Sequence, residues 1–281
     1  MHKVAAWTLA FALLAGAEGV VNEEWAAKDV EAARRIAGAL GETEISKFLE
    51  KLKASDAEED RDIGFLARRL RLAVYGGHTT TWVTVVSWKD AVGPVEVRCH
   101  EGDAETWAAL RDRIKAEYKG FDPEVGDAGL RVRVGARAGP DGFREGRNEV
   151  LGPPLGIDPH PALSDAYLLL WSPTSDLVYG WMYGEDGAPP PGRDAVEKIL
   201  AHEHGRALLE DILRGPNPEG RLYAAEALLR LEKKGGKLGE QEKRDIEWVR
   251  KSSVKIHVAR GCEVSWEPAE APLKEMLEDA P

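Results

Sequence analysis

From Val4 to Leu14 every position is apolar except Thr8, and the three residues ahead, Met1-His2-Lys3, carry positive charge. Ala15-Gly16-Ala17 closes the run with small residues at the two positions a signal peptidase reads, and Glu18 follows. A charged head, an apolar stretch and an A-x-A end are the three regions of a secretory signal peptide, so residues 1–17 are expected to be removed on export. The stretch is too short to cross a hydrocarbon core, which takes about 20 helical residues. A buried N-terminal helix is the competing reading, and Gly16 and Gly19 weaken it.

Beyond the leader, apolar positions first recur at helical spacing. Ala26, Val30, Ala33, Ala37 and Leu40 predict one helix, stopped by Gly41, and Ile45, Phe48, Leu49 and Leu52 predict a second. Ile63, Leu66, Ala67, Leu70 and Val74 fit a third, stopped by Gly76-Gly77. The period then changes. Thr79 to Trp88 is rich in threonine, valine and tryptophan, and Val95 to Cys99 alternates, so two strands joined as a hairpin through residues 89–94 are expected. Asp103 to Lys119 reads as a helix with Trp107, Leu110, Ile114 and Tyr118 on one side. Leu130, Val132 and Val134 alternate with Arg131 and Arg133 as a half-buried strand. Tyr167 to Trp171 and Leu177 to Tyr183 look like two more strands. Between them and the arginine strand, Gly135 to Pro161 is crowded with glycine and proline, and a loop of that length is usually functional or mobile.

Pro189-Pro190-Pro191 marks a stiff linker over Glu185–Gly192. After it the pattern is helical. Asp194 is placed to cap a helix through Leu200 and Leu208 to Ile212, and Asn217 with Pro218 in the first position caps the next. A helix over Glu240–Arg250, a strand at Val254, Ile256 and Val258, and a charged tail complete the chain. The run Arg221-Leu222-Tyr223-Ala224-Ala225-Glu226-Ala227-Leu228-Leu229-Arg230-Leu231 resembles the second half of one HEAT-type helical repeat. The resemblance implies a small helical interaction module; no second copy stands at repeat spacing. The fold class expected is α+β: a helical N-terminal region, a mostly antiparallel central sheet with one helix, and a helical C-terminal part. The organisation expected is a signal peptide at 1–17, an α+β domain at 18–184 and a mainly helical domain at 193–281, or one continuous domain holding both.

Composition narrows the function classes. The formal charge of the 281-residue chain is −11, and losing the leader, whose one charged side chain is Lys3, makes it one unit more negative. That balance argues against nucleic acid and anionic lipid as partners. The acidic cluster at Asp56, Glu58, Glu59, Asp60 and Asp62 lacks the glycine turn and spaced glutamate of a calcium loop, so it reads as a solvated loop and helix start. A lipoprotein would carry a cysteine at Ala17 or Glu18, and the only cysteines are Cys99 and Cys262. In an oxidising compartment those two either pair as a disulfide or sit apart as thiols. No later stretch is long and apolar enough to span a membrane, so a soluble secreted or periplasmic protein is expected.

Candidate chemistry is thin. In His202-Glu203-His204 the histidines are two apart, and a helix cannot turn both to one zinc ion; His204, in line with Leu200 and Leu208, is expected to be partly buried. Asp158-Pro159-His160-Pro161 lies in the long loop, where Asp158 can orient His160 as a general base, but no Gly-x-Ser-x-Gly elbow supplies a nucleophile. Cys262 near His257 reads more simply as a structural cysteine. Arg131, Arg133 and Arg137, with Arg144 and Arg147, form a possible anion patch, or an exposed strand face balanced by Glu96. Trp82, Trp88, Trp107, Trp171 and Trp181 can line a sugar surface but on strands are mostly core. No nucleotide, iron–sulfur or haem motif occurs, and no cofactor is expected. The expectation is a non-enzymatic binding or envelope-associated protein that contacts a protein or glycan of the cell envelope through the long loop or the C-terminal helices. The alternative is a secreted hydrolase with its site around Asp158 and His160.

Overall fold

The computed structural model describes residues 23–54, 57–77, 79–99, 123–126, 129–134 and 141–279, with a few helical positions between 108 and 116. The stretch expected as a leader and most of the helix expected over Asp103–Lys119 lie outside the described residues. Helices α1 (Glu23–Leu40) and α2 (Ile45–Leu52) form where the apolar spacing predicts. They cover one face of an antiparallel sheet made of β1 (Ala57–Gly64), β2 (Ala67–Tyr75), β3 (Thr80–Trp88), β4 (Ala91–Cys99), β5 (Pro123–Gly126) and β6 (Gly129–Val134), in the order β1-β2-β3-β4-β6-β5. Ile36 and Leu40 of α1 and Phe48 and Leu52 of α2 pack on Leu70, Leu72, Val83, Val85, Val95 and Val97. The architecture is mixed α+β, with helices at both ends of the chain.

The helix expected over Ile63–Val74 is absent; this stretch is the end of β1, a two-residue turn and β2. Leu66, Leu70 and Val74 repeat at helical spacing, yet Leu70, Leu72 and Val74 also alternate with Arg69 and Arg71. Pairing with β1 and β3 on either side selects the period of two. The arginines on the opposite face then need counter-charges. Arg69 donates to both oxygens of Glu59 at 2.9 and 3.0 Å, and Arg71 donates to Asp176 at 2.5 Å while lying 4.5 Å over the Trp82 ring. The acidic run expected as a solvated loop is therefore largely a strand, whose Glu59 neutralises β2; Asp56 lies outside the described residues. Gly77 lets α1 dock on the β2–β3 loop: a Cβ there would stand 2.1 Å from the Trp25 carbonyl oxygen, and its N–H donates to Asp29 at 2.8 Å.

The glycine- and proline-rich stretch expected as one long loop contains helix α3 (Asp141–Leu151), which leaves Gly152–His160 as the loop. After a short 3₁₀ turn, α4 (Ser164–Trp171) replaces the strand expected at Tyr167–Trp171. Ala166, Tyr167, Leu170 and Trp171 form its buried face, but Leu168 and Leu169 on the half-buried face are apolar too, so no polar stripe marks a helical period in the sequence. Leu177–Tyr183 is extended but forms only isolated bridges, Tyr179 to Val258 of β7 and Tyr183 to Gly261 in the β7–β8 turn, besides one to Ala188.

The rest is α5 (Pro191–Leu200), α6 (Gly205–Leu213), α7 (Pro218–Lys233), α8 (Glu240–Lys251), the hairpin β7 (Lys255–Arg260) and β8 (Glu263–Pro268), and α9 (Glu270–Asp279). The triple proline leads straight into α5, with Pro190 as its cap and Asp194 in the first turn rather than capping it. The single helix expected through Ile212 breaks after Leu200, where a Cβ on Gly205 would fall 1.8 Å from the Ile199 carbonyl oxygen. The expected charged tail holds β8 and α9, with Leu273 and Met276 buried. One apolar cluster joins Leu163–Tyr179 to these C-terminal elements. Among the described residues no helix is long and apolar enough to cross a membrane.

Helix α7 is the axis of this part. Asn217 caps it as the sequence predicts, its side chain accepting the Gly220 N–H at 2.9 Å. Four of its charges, Glu219, Arg221, Glu226 and Arg230, are nevertheless buried, and the two carboxylates find partners far away in the chain. Glu219 holds Arg61 of β1 at 2.6 and 3.0 Å; Glu226 holds Arg193 at 2.6 and 2.7 Å and accepts the Tyr179 hydroxyl at 2.8 Å. Arg221 donates instead to two carbonyls, Gly215 and Ile63, each at 3.0 Å, and burial brings its pKa down to about 9.

Candidate functional site

The Gly152–His160 loop folds back over α4 and α6, with Gly152 and Gly156 at φ of 77° and 64°, where a side chain would be strained. One carboxylate fastens it. Asp211 of α6, 1% exposed, accepts the Leu155 and Gly156 N–H groups at 2.5 and 3.2 Å through Oδ1 and the Tyr167 hydroxyl at 2.6 Å through Oδ2. Arg214, one turn of α6 further on, donates to the Pro153 carbonyl at 3.4 Å. Behind the floor lies Arg147 of α3, 1% exposed, donating to Asn148 at 3.1 Å and 5.9 Å from the Trp171 ring.

The ionisation states follow from burial. Desolvation brings the Arg147 pKa down to about 10, partly offset by the Asp211 charge. Burial and then the bond to Asp211 push the Tyr167 phenol well above its ordinary value, so it remains a donor.

Between this loop and the first turns of α4 opens a cleft of about 470 Å³. Small-molecule sites run from about 300 to 1,000 Å³. Pro154, Ile157, Pro159 and Leu168 supply apolar walls. Tyr167 and Trp171, stacked at 5.5 Å and 18°, meet Asp211 at the floor. Ser164 and Asp158 add polar groups, and among the described residues no lysine or arginine lines the cleft.

The structure thus brings Asp158 together with Ser164 and Asp211, but not with His160. The exposed His160 is outside the lining: its Nδ1 accepts the Ala162 N–H at 3.3 Å and its ring lies 5.3 Å from that of His202. Ser164 Oγ approaches the His160 carbonyl oxygen at 3.5 Å, not the imidazole. His204, expected to be partly buried, is 70% exposed at the start of α6, because the helix break removes it from the line of Leu200 and Leu208. Among the described residues no group of three or more His, Cys, Asp or Glu is placed to hold a metal ion.

The other sequence candidates lie apart. β6 sets Arg133 opposite Glu96 and Arg131 opposite Arg98, and Arg98 donates to Glu96 at 2.7 Å; Arg137 lies outside the described residues. Arg144 is exposed on α3. Cys99 is buried under α1 and α2, and Cys262 is exposed in the β7–β8 turn. His257 stacks on Trp266 at 4.2 Å rather than facing a thiol. Trp171 is buried, Trp82, Trp88 and Trp181 are half-buried, and Trp107 lies outside the described residues.

Tyr167, Ser164 and Asp211 escape sequence reasoning, and Trp171 stands out only as one of five tryptophans that can line a sugar surface. Glu210-Asp211 looks like an ordinary solvated pair in an amphipathic helix, and the α4 run looks like a strand. Comparison with known proteins finds no match among protein-family models, curated proteins or solved structures.

Proposed function

We propose that this chain is an exported, non-enzymatic binding or envelope-associated protein that takes its ligand in the cleft between the Gly152–His160 loop and α4. The observation that carries this reading is the cleft itself: about 470 Å³, with mostly apolar walls, under a loop that a buried carboxylate, Asp211, holds in place. The export half rests on the leader pattern of residues 1–17. Binding is favoured over hydrolysis because Asp158 and Ser164 share the cleft while the His160 ring stands outside it against His202. A cleft of this size suits one small ligand or a single side group better than an extended protein or glycan partner.

The test is native mass spectrometry of protein recovered from its exported compartment, as wild type and as Ser164→Trp, which fills the cleft mouth. A bound mass present in the wild type and lost in the variant is the expected result. The same adduct on both proteins, or none on either, overturns the reading.

A further inference from the structure

Charge distinguishes this cleft from an ordinary apolar depression. Among the described residues it is lined by two carboxylates and no basic side chain. The carboxylates are not equivalent. Asp211 is occupied by two loop N–H groups and the Tyr167 hydroxyl, with the buried Arg147 charge nearby. Asp158 is exposed and has no hydrogen-bond or ion-pair partner among the described residues, although the chain offers many arginines that pair elsewhere. An acid left alone beside Ile157, Pro159, Leu168 and an aromatic floor supplies what an organic cation needs: a counter-charge at the mouth and apolar surface behind it. The acidic balance of the whole chain adds a long-range attraction of the same sign.

We infer that the cleft takes a small organic amine, its protonated nitrogen on the Asp158 carboxylate and its apolar body against Ile157, Pro159 and Leu168. This deepens the binding reading above and rests on it. Anions are disfavoured because any carboxylate or phosphate in the cleft would face two acids with no positively charged side chain among the described lining residues.

Three probes of matched phenylethyl body separate the chemistry: 2-phenylethylamine, 3-phenylpropanoate and neutral 2-phenylethanol, titrated against wild type, Asp158→Asn and Ser164→Trp by calorimetry. The amine is expected to bind about fivefold more tightly than the alcohol, the upper scale of one exposed ion pair. The propanoate is expected not to bind. Asp158→Asn should bring the amine down to the alcohol's affinity without changing the alcohol, and Ser164→Trp should abolish both. Equal affinities for amine and alcohol, or an amine affinity unchanged in Asp158→Asn, overturn the amine inference while leaving the cleft as a binding site. No amine binding at millimolar concentration also overturns it. Binding that survives Ser164→Trp removes the cleft reading as well.

Discussion

Glu219 stands at the junction between the sheet and the helical part, and replacing it with glutamine removes one charge while keeping its shape. The side chain is fully buried, holds Arg61 through both oxygens and accepts the His257 backbone N–H at 3.1 Å. Burial alone would raise the Glu219 carboxyl, but Arg61 in contact and Arg69 close by keep it below its ordinary value. A glutamine retains an acceptor for His257 and leaves the guanidinium of Arg61, itself only 10% exposed, facing a neutral amide. Breaking a buried pair from one side costs about 3–5 kcal/mol, a large part of the roughly 5–15 kcal/mol that holds a domain folded. The neighbouring Glu59, 2.6 Å from Arg61, places the expected value at the lower end of that range. With a urea slope near 3 kcal/mol/M, the midpoint should fall by about 1 M. Arg61→Gln and the double variant complete a cycle whose coupling energy should reach about 1–3 kcal/mol. A midpoint shift under about 0.3 M with an unchanged slope, or additive single effects, would refute the assignment of this pair as the clamp. The pH arm follows from the sign of the shift. Because the folded carboxyl titrates below the unfolded one, its stabilisation is full above about pH 4.5 and is lost as pH falls through the folded value; Glu219→Gln should lack that acid-limb loss.

Three further outcomes are expected. Tyr167→Phe and Asp211→Ala should each destabilise, by about 1–2 and 2–4 kcal/mol, with strong coupling in the double variant, and Asp211→Ala should make Gly152–His160 the first site of limited proteolysis; additive effects and an unchanged cleavage pattern would exclude Asp211 as the loop's fastener. In the native protein a thiol reagent should label Cys262 at once and Cys99 only on unfolding, and a chain that labels neither without reduction would mean the two are bridged. His257 is lowered, first by burial and then by Arg61 against the pull of Glu219, Asp176 and Glu59, so the unfolded chain protonates first as pH falls. Stability should therefore decline from about pH 6.5 down to the folded value and level off below it. Denaturation midpoints for wild type and His257→Phe that keep the same slope through this window would count against it.

What the sequence determines here is local. The spacing of Ala33, Ala37 and Leu40 and of Phe48 and Leu52, the alternation in β3, β4 and β6, and the Asn217-Pro218 cap can all be read without knowing a neighbour, because each depends on the backbone period or on groups within a few residues. The tertiary structure alone decides what lies beyond that range. Leu70, Leu72 and Val74 satisfy two periods, and only the open edges of β1 and β3 choose between them. In Tyr167–Trp171 the half-buried face carries Leu168 and Leu169, as apolar as the buried face, so the helix leaves no stripe. Asp211, Glu219 and Glu226 read as solvated helix residues, yet they are buried because Tyr167, Arg61 and Arg193 arrive from 44, 158 and 33 residues away. The cleft is assembled from the same kind of contact. A buried charge is stable only with its partner in place, and the identity of that partner is a property of the folded chain, not of its neighbours along it.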